Sequence, residues 1–338
     1  MVEIDAAWAS PRACAMNKLT RRTFIVGLSA VAAMPARSEG TWPIRPITLV
    51  HGFPPGGPVD TLSRILADPL SKRLGQQIIV EARPGATGTT AAGQVARAAP
   101  DGYTLTAIPA TFPTSAAIFR ALPYRPLDDF TFISTTAEYP LVIVTRADHP
   151  IRTLPGLISQ AQSQKTPLQY ATAGAGSIQH LTMELFAKMA DIRLQHIPYR
   201  GGAPAIVDLL GKQVDLLIDP PTALVKLIED GKLRPLAVSS AERFFGLPSV
   251  PTVAEAGFPE FAVTAYQGLA GPAGLPPALV ERLNGDLAAV LADKTVIEQL
   301  RKVGNYPRPS STEEFKARLA GDITRWTKVV AEANIERI

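Results

Sequence analysis

Three short segments hold most of the residues that could do chemistry. His51-Gly52-Phe53-Pro54-Pro55-Gly56-Gly57-Pro58-Val59-Asp60, Arg83-Pro84-Gly85-Ala86-Thr87-Gly88-Thr89-Thr90 and Ala173-Gly174-Ala175-Gly176-Ser177-Ile178-Gln179-His180 each set glycines between a strand pattern and a helix pattern. Such a turn presents unpaired backbone N–H groups at a helix N-terminus, where the peptide dipoles also favour negative charge. Pro58 suits the first helical position, because the N–H it lacks would have no partner there. None of the three loops places Lys or Arg between its glycines and its helix. The chemistry is therefore anion holding by backbone donors, and three such loops together suit a shared carboxylate pocket.

Ligand contact is expected at Phe53, Gly56, Gly57, Gly85, Ala86, Thr87, Gly176 and Ser177, with Asp60, Thr111 and His180 as further members. The glycines and Ala86 would act through N–H groups, Thr87 and Ser177 through hydroxyls, and Phe53 as an apolar wall. A side chain at Gly57 is expected to block the anion's approach. Asp60 falls in a first helical turn, where a carboxylate favours the dipole, with ammonium binding as the alternative. Ser177 is well suited as an N-cap, and His180 packs near it or touches ligand.

Other chemistries find little support. His51, His149 and His196 lie far apart without carboxylates at ligand intervals, so no metal is expected. Ser177 comes one residue late for a Gly-x-Ser-x-Gly nucleophile elbow, and the phosphate-loop, His-Glu-x-x-His and Gly-x-Gly-x-x-Gly patterns are absent. An α/β hydrolase or nucleotide-binding enzyme is the alternative to a binding protein. No cofactor is expected.

The elements that position these loops alternate along the chain. Ile44 to Val50, Gln77 to Glu81, Thr104 to Ile108, Phe132 to Thr136, Leu141 to Thr145, Leu168 to Thr172, Leu194 to Ile197, Val214 to Asp219 and Leu236 to Ser239 read as strands. Helical spacing follows Pro58 and marks Thr89 to Ala98, Ile178 to Ala190, Ala203 to Leu210 and Thr222 to Asp230. This predicts an α/β fold with largely parallel sheets and, at 338 residues, two domains. Pro69 should kink or end its helix. The tail carries helices around Pro277 to Ala292, Thr295 to Val303 and Thr312 to Ala333, with little strand signal.

Residues 1–38 read as a cleaved export signal: Lys18, Arg21 and Arg22 precede an uncharged run from Thr23 to Met34, too short to span a membrane. Thr20-Arg21-Arg22-Thr23-Phe24-Ile25 resembles a twin-arginine signal, and an ordinary Sec signal is the alternative. Either implies the periplasm. Cys14, the single cysteine, lies in this leader, so the mature chain has no thiol or disulfide chemistry. The leader also carries most of the net charge of +4, which leaves no basic tract for nucleic acid.

Several segments taken in order resemble one family. Phe53-Pro54-Pro55-Gly56-Gly57-Pro58-Val59-Asp60, Arg83-Pro84-Gly85-Ala86, Pro100-Asp101-Gly102-Tyr103-Thr104-Leu105, Gly174-Ala175-Gly176-Ser177 with His180-Leu181, and Pro198-Tyr199-Arg200-Gly201-Gly202 are similar to the Bug family of extracytoplasmic solute receptors. So are Leu247-Pro248-Ser249-Val250-Pro251-Thr252 and Gly268-Leu269-Ala270-Gly271-Pro272. The resemblance implies a two-lobed, type II periplasmic-binding-protein fold that closes on a small organic, amino or aromatic carboxylate for a tripartite tricarboxylate transporter or a sensor, and a monomer is expected. By the same analogy, residues 41–143 plus 266–338 form the first lobe and 144–265 the second. Asp219 then ends a strand facing the cleft, where it selects an amino group or caps Pro220-Pro221. His51, Ala82 and Tyr266 depart from the family's usual residues.

Overall fold

The computed structural model describes residues 42–338. Residues 1–38, read above as an export signal, lie outside them with Cys14 and Arg21-Arg22. From Pro43 onward the first sheet begins with β1 (Ile47–His51), β2 (Ile78–Ala82), β3 (Thr104–Pro109) and β4 (Phe130–Pro140). The chain then enters a second sheet of β5 (Val142–Arg146), β6 (Leu168–Thr172), β7 (Leu194–Pro198), β8 (Leu216–Asp219) and β9 (Leu233–Val238). It returns through β10 (Thr264–Pro272) and β11 (Tyr306–Pro307). Strand order is β11-β4-β10-β3-β1-β2 in the first sheet and β7-β6-β8-β5-β9 in the second.

The helices follow from local chemistry. α1 (Pro58–Leu74) starts on Pro58, buries Leu62, Leu66, Leu70 and Leu74 at a spacing of four, and ends at left-handed Gly75, whose N–H returns to Ser71 O. Of the two outcomes expected at Pro69, an end is excluded, because the helix continues through it to Leu74. A proline inside a helix costs roughly 3 kcal/mol, but each buried leucine returns about 1.5–3 kcal/mol, so the apolar stripe wins. The remaining helices are α2 (Thr89–Val95), α3 (Thr111–Ile118), α4 (Leu154–Ser163), α5 (Ile178–Met189), α6 (Gly202–Leu210), α7 (Pro221–Glu229), α8 (Pro277–Leu291), α9 (Lys294–Lys302) and α10 (Thr312–Glu332).

Both sheets are mixed, which corrects the expectation of largely parallel ones. β1 runs parallel to β2 and β3, and β6 parallel to β7 and β8, whereas β10 is antiparallel to β3 and β4, and β5 to β8 and β9. The reversed strands are the ones that carry the chain between sheets. β4 reaches Pro140 in the first sheet and β5 starts at Val142 in the second, so a single residue, Leu141, makes the crossing. Ser239 ties the two crossings together: its hydroxyl accepts from Leu141 N at 2.9 Å and donates to Val263 O at 2.7 Å. A core that includes Ile108 and Phe132 from the first sheet, and Tyr170 and Leu216 from the second, runs between them.

Candidate functional site

The C-terminal ends of β1, β2, β3, β6 and β8 feed the loops that open α1, α2, α3, α5 and α7. In the first loop, Asp60 is 3 % exposed and fully engaged. Its Oδ1 accepts from His51 Nε2 at 2.9 Å, and its Oδ2 accepts from Gly56 N and Arg64 Nε, both at 2.9 Å. Phe53 N donates to His51 Nδ1, which selects the tautomer with its proton on Nε2. The Arg64 guanidinium, helped by Gly56 N–H and His51, holds the Asp60 carboxyl at about 2 against the opposing effect of burial. Asp60 thus organises the loop and is not an open ammonium site.

Two of the expected donors have partners within the chain. Gly56 N–H, assigned to ligand, donates to Asp60, and Gly57 N–H donates to Pro54 O at 3.3 Å. Gly57 is extended, with φ −73° and ψ 172°, whereas Gly56 holds the left-handed backbone at φ 77°.

The second loop is packed backbone to backbone on the first. A Cβ at Gly52 would lie 2.2 Å from Gly88 Cα, and one at Gly88 would lie 3.0 Å from the Phe53 ring. Ala86, Thr87 and Gly88 are all left-handed, at φ 43°, 54° and 92°. For a β-branched threonine this is strained. Phe53, Thr87 and Thr111 converge with Phe112 and Tyr124 on one crevice of about 10 Å³. A water needs roughly 10–15 Å³, so that crevice has no room for a carboxylate. Gly85 and Ala86 line neither this crevice nor the larger cavity described below.

In the third loop Ser177 is the N-cap of α5, its Oγ accepting from His180 N at 3.2 Å, as its residue type predicts. His180 Nδ1 accepts from Gly176 N at 3.1 Å, so this glycine donor is also occupied. His180 stacks on His196 at 3.7 Å between ring centroids, and His196 Nε2 meets Thr172 Oγ1 at 2.7 Å. Burial, and for His180 its neighbour His196, lowers the two imidazoles to about 3 and about 4. They are neutral structural groups beneath the loop. Gly176 itself packs on α3, where a Cβ would lie 2.9 Å from Ile118 Cγ1.

Asp219 ends β8 at 4 % exposure, accepts from Gln179 Nε2 at 3.2 Å, and faces Gly202, where a Cβ would lie 2.3 Å from Oδ2. It makes no capping bond to α7, which excludes the reading as a cap for Pro220-Pro221. Burial raises its carboxyl to about 6 against the Gln179 hydrogen bond, and its charge adds to the burial that pushes Tyr139 up to about 12. A carboxyl that holds its proton more tightly when folded stabilises the fold below the unfolded value, 3.8, and loses that contribution as pH rises to about 6. The difference is worth about 3 kcal/mol. Melting temperature should therefore fall across this window, and Asp219→Asn should flatten the profile; an unchanged profile would refute the assignment.

Beside the first loop lies a cavity of about 310 Å³. Gly56, Pro58 and Val59 reach it from the start of α1, Pro109 from the end of β3, Tyr139 from the end of β4, and Gln267 from β10. Pro220, Thr222 and Ala223 reach it from the start of α7, and Val303 and Asn305 from the turn between α9 and β11. Among the described residues, none lining it is charged at neutral pH. Two helix N-termini, one after each sheet, thus open into one uncharged space, where Val59 N–H and Thr222 N–H stand outside their helical ladders. Of the sequence candidates, only Gly56 lines it. Tyr139, Thr222, Gln267 and Asn305 were missed; the strand followed by Pro220-Pro221 was a readable sign of α7, but nothing local marks the others.

Residues 62–335 match the family described as tripartite tricarboxylate transporter family receptor. The chain belongs to that receptor family. It is 34 % identical over 319 residues to protein BugT of Bordetella pertussis (strain Tohama I), covering 93 % of this chain and 98 % of the relative. The structure of the periplasmic binding protein BugD is 34 % identical with a TM-score of 0.75, over 87 % of this chain and 99 % of that one. Rpa4515 of R. palustris, solved with adipate, is also 34 % identical, with a TM-score of 0.79 over 88 % and 100 %. The two mixed sheets are accordingly those of the two-lobed periplasmic-binding-protein fold, and the tripartite receptor family's function is solute binding. Among the described residues no three His, Cys, Asp or Glu side chains could share a metal ion, and no helix is long and apolar enough to cross a membrane.

Proposed function

We propose that this receptor binds a small carboxylate in the 310 Å³ cavity and presents it, as a periplasmic monomer after export, to a membrane transporter of the tripartite type. The observation that carries the reading is the pair of helix N-termini, α1 and α7, opening into one uncharged space. A buried carboxylate there gains hydrogen bonds from N–H groups and a favourable dipole from both helices, without an arginine clamp. The adipate bound by Rpa4515 supports the ligand class. In this reading the lobes are residues 41–143 plus 266–338 and residues 144–265, and both form the cavity. The sequence-assigned contacts at Phe53, Gly85, Ala86, Thr87, Gly176 and Ser177 would support the cavity's walls or meet the ligand after the loops rearrange.

A thermal-shift screen against aliphatic, amino and aromatic carboxylates, each beside its neutral amide, tests the proposal. A carboxylate at 100 times its dissociation constant should stabilise the protein by about 2.7 kcal/mol, with no effect of the amide. No single Arg or Lys substitution should remove binding. An arginine variant that stays folded and loses all binding, or equal shifts with acid and amide, would overturn the site.

A further inference from the structure

Asp219 stands behind the cavity wall without belonging to it. It ends β8 at 4 % exposure, and the next residue, Pro220, lines the cavity at the N-cap position of α7. Tyr139, which lines the cavity from the end of β4, stands near enough to feel its charge. The elements packed on this carboxyl offer nothing to neutralise it. Val142 of β5 is its strand partner, α6 approaches through Gly202, where a Cβ would lie 2.3 Å from Oδ2, and α5 supplies the neutral amide of Gln179 at 3.2 Å. Tyr139 is neutral as well, because burial and Asp219 itself push its phenol up to about 12. Among the described residues no Lys, Arg or His pairs with Asp219.

Resting on the carboxylate reading above, we infer that Asp219 couples ligand binding to proton uptake: the buried side chain takes a proton as the anion enters the cavity, so that binding tightens as pH falls. A ligand carboxylate held at the start of α7 and the carboxylate of Asp219 lie on either side of Pro220. Like charges that close, in a wall without cations, disfavour each other's ionised form. The ligand keeps its charge because two helix N-termini hold it, whereas Asp219 has one amide donor and is the group that yields. Burial already brings its carboxyl to about 6, so a modest further push makes it neutral around pH 7. An ammonium ligand would act in the opposite sense, but Asp219 does not line the cavity and offers it no direct partner.

Calorimetry with butyrate, benzoate and adipate from pH 6.5 to 8, where all three are ionised, tests the coupling. Affinity for whichever of them binds should fall about fivefold or more across this window, as a coupling of about 30-fold requires. At pH 7 the binding heat should differ between phosphate and Tris buffers, the signature of proton uptake. Asp219→Asn removes the charge at constant shape and keeps an acceptor for Gln179. It should abolish both effects and bind about tenfold tighter than wild type at pH 8, a gain that misfolding cannot mimic. A flat wild-type affinity without proton uptake, uptake that survives in Asp219→Asn, or a folded Asp219→Asn protein that binds no tighter at pH 8 would each overturn the inference and leave the carboxylate site standing. Failure of all three acids to bind would count against both.

Discussion

Replacing Asp60 by alanine is expected to cost about 2–4 kcal/mol of folding stability, because it strands two donors at once. His51, fully buried, loses the partner of its Nε2–H, and Gly56 N–H loses the acceptor that holds it in a left-handed turn. Arg64 is the lesser partner although its guanidinium lies at the same distance. Its side chain is 56 % exposed, so solvent screens the pair, and Arg64→Ala should cost no more than about 1 kcal/mol. Denaturant unfolding of the two variants separates these roles, and equal small losses would mean that the buried side of Asp60 does not hold the loop. The same carboxylate fixes an acid limit. Its folded value of about 2 lies below its unfolded value of 3.8, so its contribution is complete above 3.8 and disappears as pH falls through about 2. Asp60→Ala should remove that part of the acid transition and release Gly56 from the cavity wall.

The two glycine loops that open α1 and α5 show what the sequence made legible and what it did not. Pro58 and Ser177 announced where α1 and α5 begin, and both do so for the reasons read from their residue types. Whether a glycine N–H at such a start is free depends on a side chain that folds back from the next turn. Gly56 donates to Asp60 and Gly176 to His180, the same four-residue step in both loops. An acceptor side chain four residues beyond a left-handed glycine was therefore a usable sign of an occupied donor. β10 was hidden for another reason: Gly268 and Gly271 give it the composition of a turn, yet the space they leave is filled, by Phe315 against Gly268 and Leu275 against Gly271. Asn305 could not be found locally, since its place in the cavity comes from the meeting of the α9–β11 turn with α7, 83 residues away in sequence at Thr222.

Gly52→Ala should be among the most damaging single-methyl changes in the molecule. Its Cβ would fall 2.2 Å from Gly88 Cα and 2.9 Å from Gly88 O, distances that no side-chain rotation can relieve because both obstacles are backbone. Overpacking a well-packed core typically costs about 1–3 kcal/mol, and a clash between two backbones should reach about 3 kcal/mol or more. The damage is also directed. Gly88 closes the strained turn of Ala86 and Thr87, and Phe53 packs its ring on Gly88, so separating the loops moves the starts of α1 and α2 together. Gly57→Ala is the matched control. Gly57 has an extended backbone that any residue adopts, its Cβ would meet only Pro54 O at 3.2 Å, and it lies outside the cavity wall. That variant should keep its stability within about 1 kcal/mol and still bind carboxylate, in contrast to the blockade that its place in the glycine pair had suggested. Melting curves and calorimetry on both variants make the comparison. A Gly52→Ala protein as stable as wild type would mean that the first two loops are not locked together, and the cavity mouth at Gly56 would then owe its shape to Asp60 alone.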